Sequence, residues 1–468
     1  MVDLLTINRG AVTAPAGSGK TYLIADALKR HRGTKPILVL THTNAGVAAL
    51  RGRLDAFGVP ATRYQLATID GWAMRLAATF PMRSQINPAT LRLRNPGADY
   101  PAVRNAATTL LAAGHVSDVM GASYAQLIVD EYQDCSQRQH AMVTWLAQTL
   151  PTCVLGDPLQ AIFGFGSDDL PGWEADVCAY FPVVAQLTQP WRWINAGAAD
   201  LGNWLLQARA SIVAGHQVDV RTAPAGRVDW VQLTGTNDLA VRVAAASILA
   251  KADEKVLIIG FSRWPAQQRD IASRVPGAIV VEAVDLKDLV AFSGSFESTS
   301  DTALEQMASF ADDLMSGAGA VQAAANIRSH IGLGLQPHGP LEAAGYSLVR
   351  DGSYSAALDF LVELGRQAVG GIHRDAVMRA CIRALRGCLG PQPPSFYDST
   401  VQVREQSRLI GRPLAARSVG STLLMKGLEG DIAVVLDGDD LNFHHLYVAM
   451  TRGAKKLVVC SASPILGF

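Results

Sequence analysis

Two hydrophobic periods alternate along most of this chain, and each predicts a different kind of element. Residues 9–13 (RGAVT) read as a short strand, and residues 22–29 (YLIADALK) place apolar side chains at helical spacing. Residues 36–41 (PILVLT) form a continuous apolar run, the pattern of a strand buried on both faces of a parallel sheet. A helix follows over 44–54, carrying Arg51 and Arg53, then a strand end at 67–70 and a helix opening at Gly71 and Trp72. Between 79 and 121 proline, asparagine and arginine interrupt every long period, which predicts an insertion with little sheet. Strand text returns at 125–130, 152–155 and 183–188, with helices over 136–150 and 194–209.

The alternation then starts again. Strands are predicted at 228–233 and 255–261 around a helix at 238–250, and a serine-rich break covers 293–300. Residues 301–389 read almost entirely as helix, closed by GPQPP at 390–394. Strand and helix text resumes at 434–436, 441–452 and 456–460. The expected class is α/β with two parallel sheets, the second interrupted by a helical insertion.

Composition narrows this only a little. A chain of 468 residues holds two or three domains. With 49% hydrophobic and 18% charged residues it reads as soluble and globular. Lys+Arg and Asp+Glu are both 41, so binding of nucleic acid through bulk basicity is disfavoured while a local basic groove stays open. The six cysteines form no C-x-x-C pair, which points to free thiols in a reducing cytoplasm rather than zinc or an iron–sulfur cluster. No apolar run approaches the ~20 residues that span a bilayer, and the first ten residues lack a signal-peptide pattern. A cytoplasmic protein is expected.

The chemistry centres on residues 14–21, APAGSGKT. Gly17, Ser18, Gly19, Lys20 and Thr21 complete the phosphate-loop pattern, with Ala14 where its first glycine usually stands, and the loop sits between strand and helix as that motif requires. Backbone N–H groups there cradle phosphates, Lys20 adds a positive charge, and the Thr21 hydroxyl is a magnesium ligand. At 127–134 (LIVDEYQD) a buried strand ends in two acids. Asp130 is placed to hold magnesium and Glu131 to orient and deprotonate the attacking water. After the strand TCVL, Gln160 of GDPLQ is a neutral amide able to sense a γ-phosphate. The acidic run at 437–440 ahead of His444 and His445 is read as a turn before a helix N-terminus, not a nuclease centre.

Taken together, these residues resemble the UvrD/Rep-type superfamily 1 helicases. The likeness is an ordered series: APAGSGKT, LVLTHTNAGVAALRGRL (38–54), ATID (67–70), IVDEYQD, LGDPLQAIFGF (155–165), LTQPWR (187–192), STLLMKGLEGD (421–431) and LYVAMTRGAKKL (446–457). It implies two RecA-like P-loop NTPase domains with ATP between them and single-stranded DNA across the top. The first would comprise 1–72 and 123–190 around a small accessory insertion at 73–122. The second would comprise 191–292 and 395–468 around a helical insertion at 293–394. On the same resemblance Ala14, Pro15, Ala16, Gly17, Ser18, Gly19, Lys20, Thr21, Tyr22, Trp191 and Glu429 contact nucleotide, with Trp191 stacking on the base where the family has tyrosine. Core packing is the competing role for Trp191. Arg192 and Arg452 match the arginines that reach the γ-phosphate from the second domain. Thr41, His42, Thr43, Asn44, Thr68, Phe165, Thr422 and Lys426 match DNA-contacting positions, His42 and Phe165 by stacking on bases.

The chain also departs from the pattern. It begins too close to its phosphate loop for the family's upstream glutamine motif, which leaves base selectivity open. Asp70 and Leu424 stand where histidines are common, and Gly164-Phe165-Gly166 replaces an arginine. The expected function is an ATP- and Mg2+-dependent 3′–5′ DNA helicase and single-stranded DNA translocase. The alternative is a DNA-stimulated ATPase that senses or clamps DNA for a partner nuclease without processive unwinding. That alternative follows a resemblance to the helicase-like subunits of anti-phage systems such as Gabija.

Overall fold

The structure is a computed structural model, and it describes residues 2–163, 168–283, 285–390, 392–409 and 414–467. The chain divides into two compact units. Met1–Val218, Leu441–Thr451 and Gly467–Phe468 form the first; Asp219–Asp440 and Arg452–Leu466 form the second.

The first unit is built on six strands: β1 (Arg9–Thr13), β2 (Ile37–Thr41), β3 (Tyr64–Thr68), β4 (Leu127–Val129), β5 (Thr152–Gly156) and β6 (Val183–Gln186). They lie in the order β3-β2-β4-β5-β1-β6, and every pair is parallel. All five residues of β2 are buried, as expected for a strand with helices on both faces. Helices α1 (Lys20–Arg30) and α2 (Asn44–Ala56) belong to the core built on Leu23, Leu28, Val39 and Leu54. Helices α3 (Ile69–Thr79), α5 (Pro96–Ala112), α6 (Ser117–Ser123) and α7 (Gln137–Leu146) serve a second core around Trp72, Leu110, Val129 and Phe181, and the short α4 (Pro81–Ser84) packs on α3 and α5.

The stretch expected to have little sheet is indeed helical. Its main element, α5, opens on Pro96 and carries Pro101 inside its second turn. Prolines so near a helix start remove few hydrogen bonds, which explains how a helix survives where the sequence period looked broken.

Helices α8 (Trp191–Asn195) and α9 (Ala199–Val213), expected in the second domain, pack with the first unit. The cause is tertiary. Trp193 is buried against the phosphate loop, and a Cβ on Gly202 of α9 would lie 2.8 Å from Pro190 and from Trp193. A short strand β7 (Val218–Asp219) marks the change of unit.

The second unit carries β8 (Val228–Gln232), β9 (Val256–Ile259), β10 (Ala278–Val280), β11 (Arg417–Gly420), β12 (Gly430–Val435) and β13 (Gly453–Ser461). Their order is β10-β11-β9-β12-β13-β8, again all parallel. Helices α10 (Asp238–Ala246) and α11 (Pro265–Arg274) pack beside it. Among the described residues seven further helices follow: α12 (Lys287–Ser295), α13 (Ala303–Asp312), α14 (Ala320–Gly332), α15 (Pro340–Asp351), α16 (Tyr354–Gln367), α17 (Asp375–Gly387) and α18 (Phe396–Leu409). They enclose their own core around Leu289, Met307, Phe360 and Cys381. Short α19 (Thr422–Met425) precedes β12, and α20 (Phe443–Met450) belongs by packing to the first unit. The fold is therefore α/β with two RecA-like parallel sheets and helical insertions. Among the described residues no helix is long and apolar enough to cross a membrane.

Candidate nucleotide and nucleic-acid site

In the first sheet each expected motif follows the carboxyl end of a strand, where parallel α/β sheets place their ligand crevices. The phosphate loop follows β1, the acid pair follows β4, and Gly156-Asp157 closes β5, which lies between them. A shallow depression of about 650 Å³ near Lys35, Gly121 and Trp145 lies instead at the amino ends of β2 and β5, away from these groups.

Gly17 (φ +66°) and Gly19 (φ +93°) take left-handed conformations, so the glycines are required by the turn itself. A Cβ on Gly17 would also lie 2.5 Å from the Trp193 ring and 2.9 Å from Arg192 Cβ. The packing of α8 against the loop is therefore a second reason for glycine, unrelated to phosphate. Ala14, Pro15 and Ala16 are buried, and the Ala16 N–H donates to the Tyr447 hydroxyl of α20 (3.1 Å). Ser18 is 4% exposed and its hydroxyl makes no hydrogen bond. A buried polar atom of this kind suits a loop built to receive a polar ligand.

Lys20 Nζ lies 3.0 Å from Glu131 Oε1. Burial by itself would lower the Lys20 pKa; Glu131, Asp130 and Asp157 outweigh it and hold the ammonium above its ordinary value. Asp130 is buried at the end of β4. Burial, and then the charge of Glu131, push its carboxyl up, against the pull of Lys20. Glu131 itself sits at φ +54°, an uncommon conformation for a long side chain. Thr21 Oγ1 accepts from Arg53 Nη1 (3.0 Å), so the hydroxyl expected to ligate metal meets a cation here. A buried carboxylate whose pKa is pushed up by burial and a threonine hydroxyl in the phosphate loop are oxygen donors of the kind that hold Mg2+, which is bound by one or two protein oxygens plus phosphate.

Behind the acids lies a buried network that motif reading did not supply. Asp157, fully buried, accepts from Arg209 Nη2 (2.9 Å) and from Gln160 Nε2 (3.1 Å). The amide of Gln160, expected to face a γ-phosphate, is thus turned to Asp157. The Tyr447 phenol is pushed up chiefly by burial and also by Asp157. Gln133 joins Asp157 to Glu131.

Trp191 is 45% exposed, and its Cδ1 would lie 3.2 Å from a Cβ on Gly19; Tyr22 is 50% exposed and meets Phe57 edge-on. Trp191, not its neighbour Trp193, is the ring left open beside the loop. Arg192 was expected to reach in from the second domain, but packs within the first unit. Its N–H donates to Gly17 O (3.0 Å), its Nη1 donates to Thr451 O (2.6 Å), and its guanidinium lies over Trp193.

At the end of β2, His42 lies 5.6 Å from the Phe163 ring. Phe163 was not singled out in the sequence, where two phenylalanines two residues apart offer no means of choosing. Phe165 lies outside the described residues. Thr43 and Thr68 cap α2 and α3 by accepting from Gly46 N and Gly71 N, and Asn44 is exposed. Thr41 is only 2% exposed. In the second unit Thr422 is 0% exposed, with its hydroxyl 3.3 Å from Ser262. Both threonine side chains are thus buried in this conformation. Lys426 follows α19 half-buried, Glu429 is half-buried ahead of β12, and Arg452 Nη1 donates to Leu428 O (3.3 Å).

The acidic run before α20 is occupied by turn chemistry. Asp437 accepts from Phe261 N (2.7 Å) and Asp439 from Ala462 N (2.6 Å). Among the described residues no three His, Cys, Asp or Glu side chains are grouped to hold a metal ion.

Residues 93–171 match the family model described as the UvrD/REP helicase N-terminal domain. That stretch runs through the acid pair and Gln160 but does not include the phosphate loop. No curated protein matches the chain. Among solved structures, one of arterivirus nonstructural protein 10 (helicase) in complex with DNA is similar at 11% identity and a TM-score of 0.28, covering 56% of this chain and 50% of that one. Likeness at that level bears on neither mechanism nor substrate. The ordered motifs on two RecA-like sheets, together with the match over residues 93–171, make the chain similar to the UvrD/Rep-type superfamily 1 helicases.

Proposed function

We propose that the chain is a cytoplasmic, ATP-driven translocase on single-stranded DNA that moves 3′ to 5′ and separates duplex where strands fork. The observation that carries this reading is the Lys20–Glu131 pair beside Asp130 at the carboxyl ends of β1 and β4. The loop from Ala14 to Thr21 binds the phosphates, and Lys20 transfers its ammonium from Glu131 to them. Thr21 and Asp130 hold magnesium, which when bound offsets phosphate charge. Glu131 orients the attacking water and takes its proton. Trp191 supplies a π-face to the base, and Tyr22 lines the same side. Arg192 and Arg452 act on the γ-phosphate, as a guanidinium fork is suited to do.

His42 and Phe163 present rings that suit sequence-indifferent stacking, worth ~1–3 kcal/mol per base. Thr43, Asn44, Thr68 and Lys426 contribute backbone-directed contacts. The reading is tested by strand displacement on duplexes with a 3′ or a 5′ tail. Displacement confined to the 3′-tailed substrate and dependent on ATP is the expected result. Equal displacement from both tails, or none with ATP turnover intact, contradicts it.

A further inference from the structure

The carboxylate of Glu131 is held at both oxygens. Oε1 faces Lys20 Nζ at 3.0 Å, and Oε2 accepts from Gln133 Nε2 at 2.6 Å. Gln133 is 5% exposed, and the orientation of its amide follows from its partners. Gln133 Oε1 accepts from the Asp157 N–H at 3.1 Å, so the nitrogen must be the end that meets Glu131. A flipped amide would set N–H against N–H and oxygen against carboxylate. Space for this arrangement comes from Gly156. A Cβ there would lie 2.8 Å from Gln133 Oε1 and 2.7 Å from the Trp173 ring. Glu131, at φ +54°, has an uncommon backbone to keep in place, and the amide meets the carboxylate oxygen that Lys20 does not.

We propose that Gln133 is a positioning residue of the hydrolytic centre: it retains Glu131 Oε2, so that Oε1 is the atom that meets water once Lys20 has moved to the phosphates. This rests on the reading of Glu131 as the base. In the step concerned, the water oxygen bonds to the γ-phosphorus and one water proton passes to Glu131 Oε1. The bond from that phosphorus to the β–γ bridging oxygen breaks, and ADP leaves with the electron pair. Gln133 exchanges no proton. Its contribution is to stop the carboxylate rotating or following Lys20, and a misplacement of about 1 Å at such a centre costs on the order of 100-fold in rate.

The test uses the full chain with saturating oligo-dT, reading steady-state ATP turnover, nucleotide affinity by titration with a fluorescent ATP analogue, and the melting temperature. Gln133→Leu removes these two amide contacts and a longer one from Nε2 to Asp134 Oδ2 (3.4 Å). Gln133→Glu keeps an acceptor for the Asp157 N–H but turns a like charge on Glu131, so it remains informative if the leucine variant does not fold. For either variant kcat falls about 10- to 100-fold while nucleotide affinity stays within about twofold. Added to Glu131→Gln, the same change costs nothing further, because the group being positioned is gone. Turnover near wild type in folded Gln133→Glu, or a loss that multiplies with that of Glu131→Gln, overturns this inference alone. Full turnover in Glu131→Gln by itself overturns the assignment of the base, and this inference with it.

Discussion

Asp437 offers a prediction whose size can be worked from the structure. It follows β12 at 6% exposure, with Oδ2 accepting from the Phe261 N–H while Oδ1 is buried without a hydrogen bond. Burial first, and then the nearby Asp440, raise its pKa from 3.8 to about 6, against Arg242. The folded state therefore binds this proton more tightly than the unfolded chain does. The resulting penalty is absent below about pH 3.8, grows between there and pH 6, and is complete above pH 6. A shift of roughly two units corresponds to about 3 kcal/mol. Asp437→Asn keeps an acceptor for Phe261 and cannot ionise. Its buried NH2 adds a cost of about 1–3 kcal/mol, which does not depend on pH. The quantity to measure is thus the difference between variant and wild type at pH 7.5, less the same difference at pH 4. Trp230 and Trp264 lie in the second unit, and their fluorescence in denaturant titrations follows that unit. The variant should gain about 2.5 kcal/mol relative to wild type between the two pH values, because a small part of the penalty is already present at pH 4. A difference that is the same at both would refute the reasoning.

Two further outcomes follow from buried contacts in the first unit. Arg209→Met leaves the fully buried Asp157 without its guanidinium and should destabilise the unit by about 3–5 kcal/mol. Adding Asp157→Asn should restore part of that loss, and equilibrium unfolding of the single and double variants checks both. Gly17→Ala sets a Cβ against Trp193 at a left-handed position, so it should lower the melting temperature and weaken nucleotide binding together. An alanine variant with wild-type melting and weakened binding would show that phosphate approach alone requires the glycine.

Much of this was legible in the sequence because its signals are local. Residues 36–41 announced a strand buried on both faces, and β2 is one. APAGSGKT and LIVDEYQD are contiguous, so the strand, turn and acids could be placed before any contact was known. What escaped reading depends on partners distant in sequence. Arg192 and Trp193 join the first unit through contacts with Gly17 that no local period encodes. Asp70, which stands where the resembled family often has histidine, is bonded through both oxygens to Arg104 of the insertion. Arg104 also meets Asp168, so the inserted helix α5 braces the segment after Gln160. Gln133 looked like an incidental letter within DEYQD; its importance lies in Gly156 and Asp157, more than twenty residues on. Thr41 and Thr422 are buried, which their motif positions did not announce.

The central claim is that nucleotide turnover at Lys20, Asp130 and Glu131 answers to a bound strand. The direct measurement is steady-state ATP hydrolysis by the full chain with and without single-stranded DNA, in wild type and in Lys20→Ala. Turnover should rise when DNA is added and disappear in the variant. Hydrolysis indifferent to DNA, or surviving the loss of Lys20, would contradict the account.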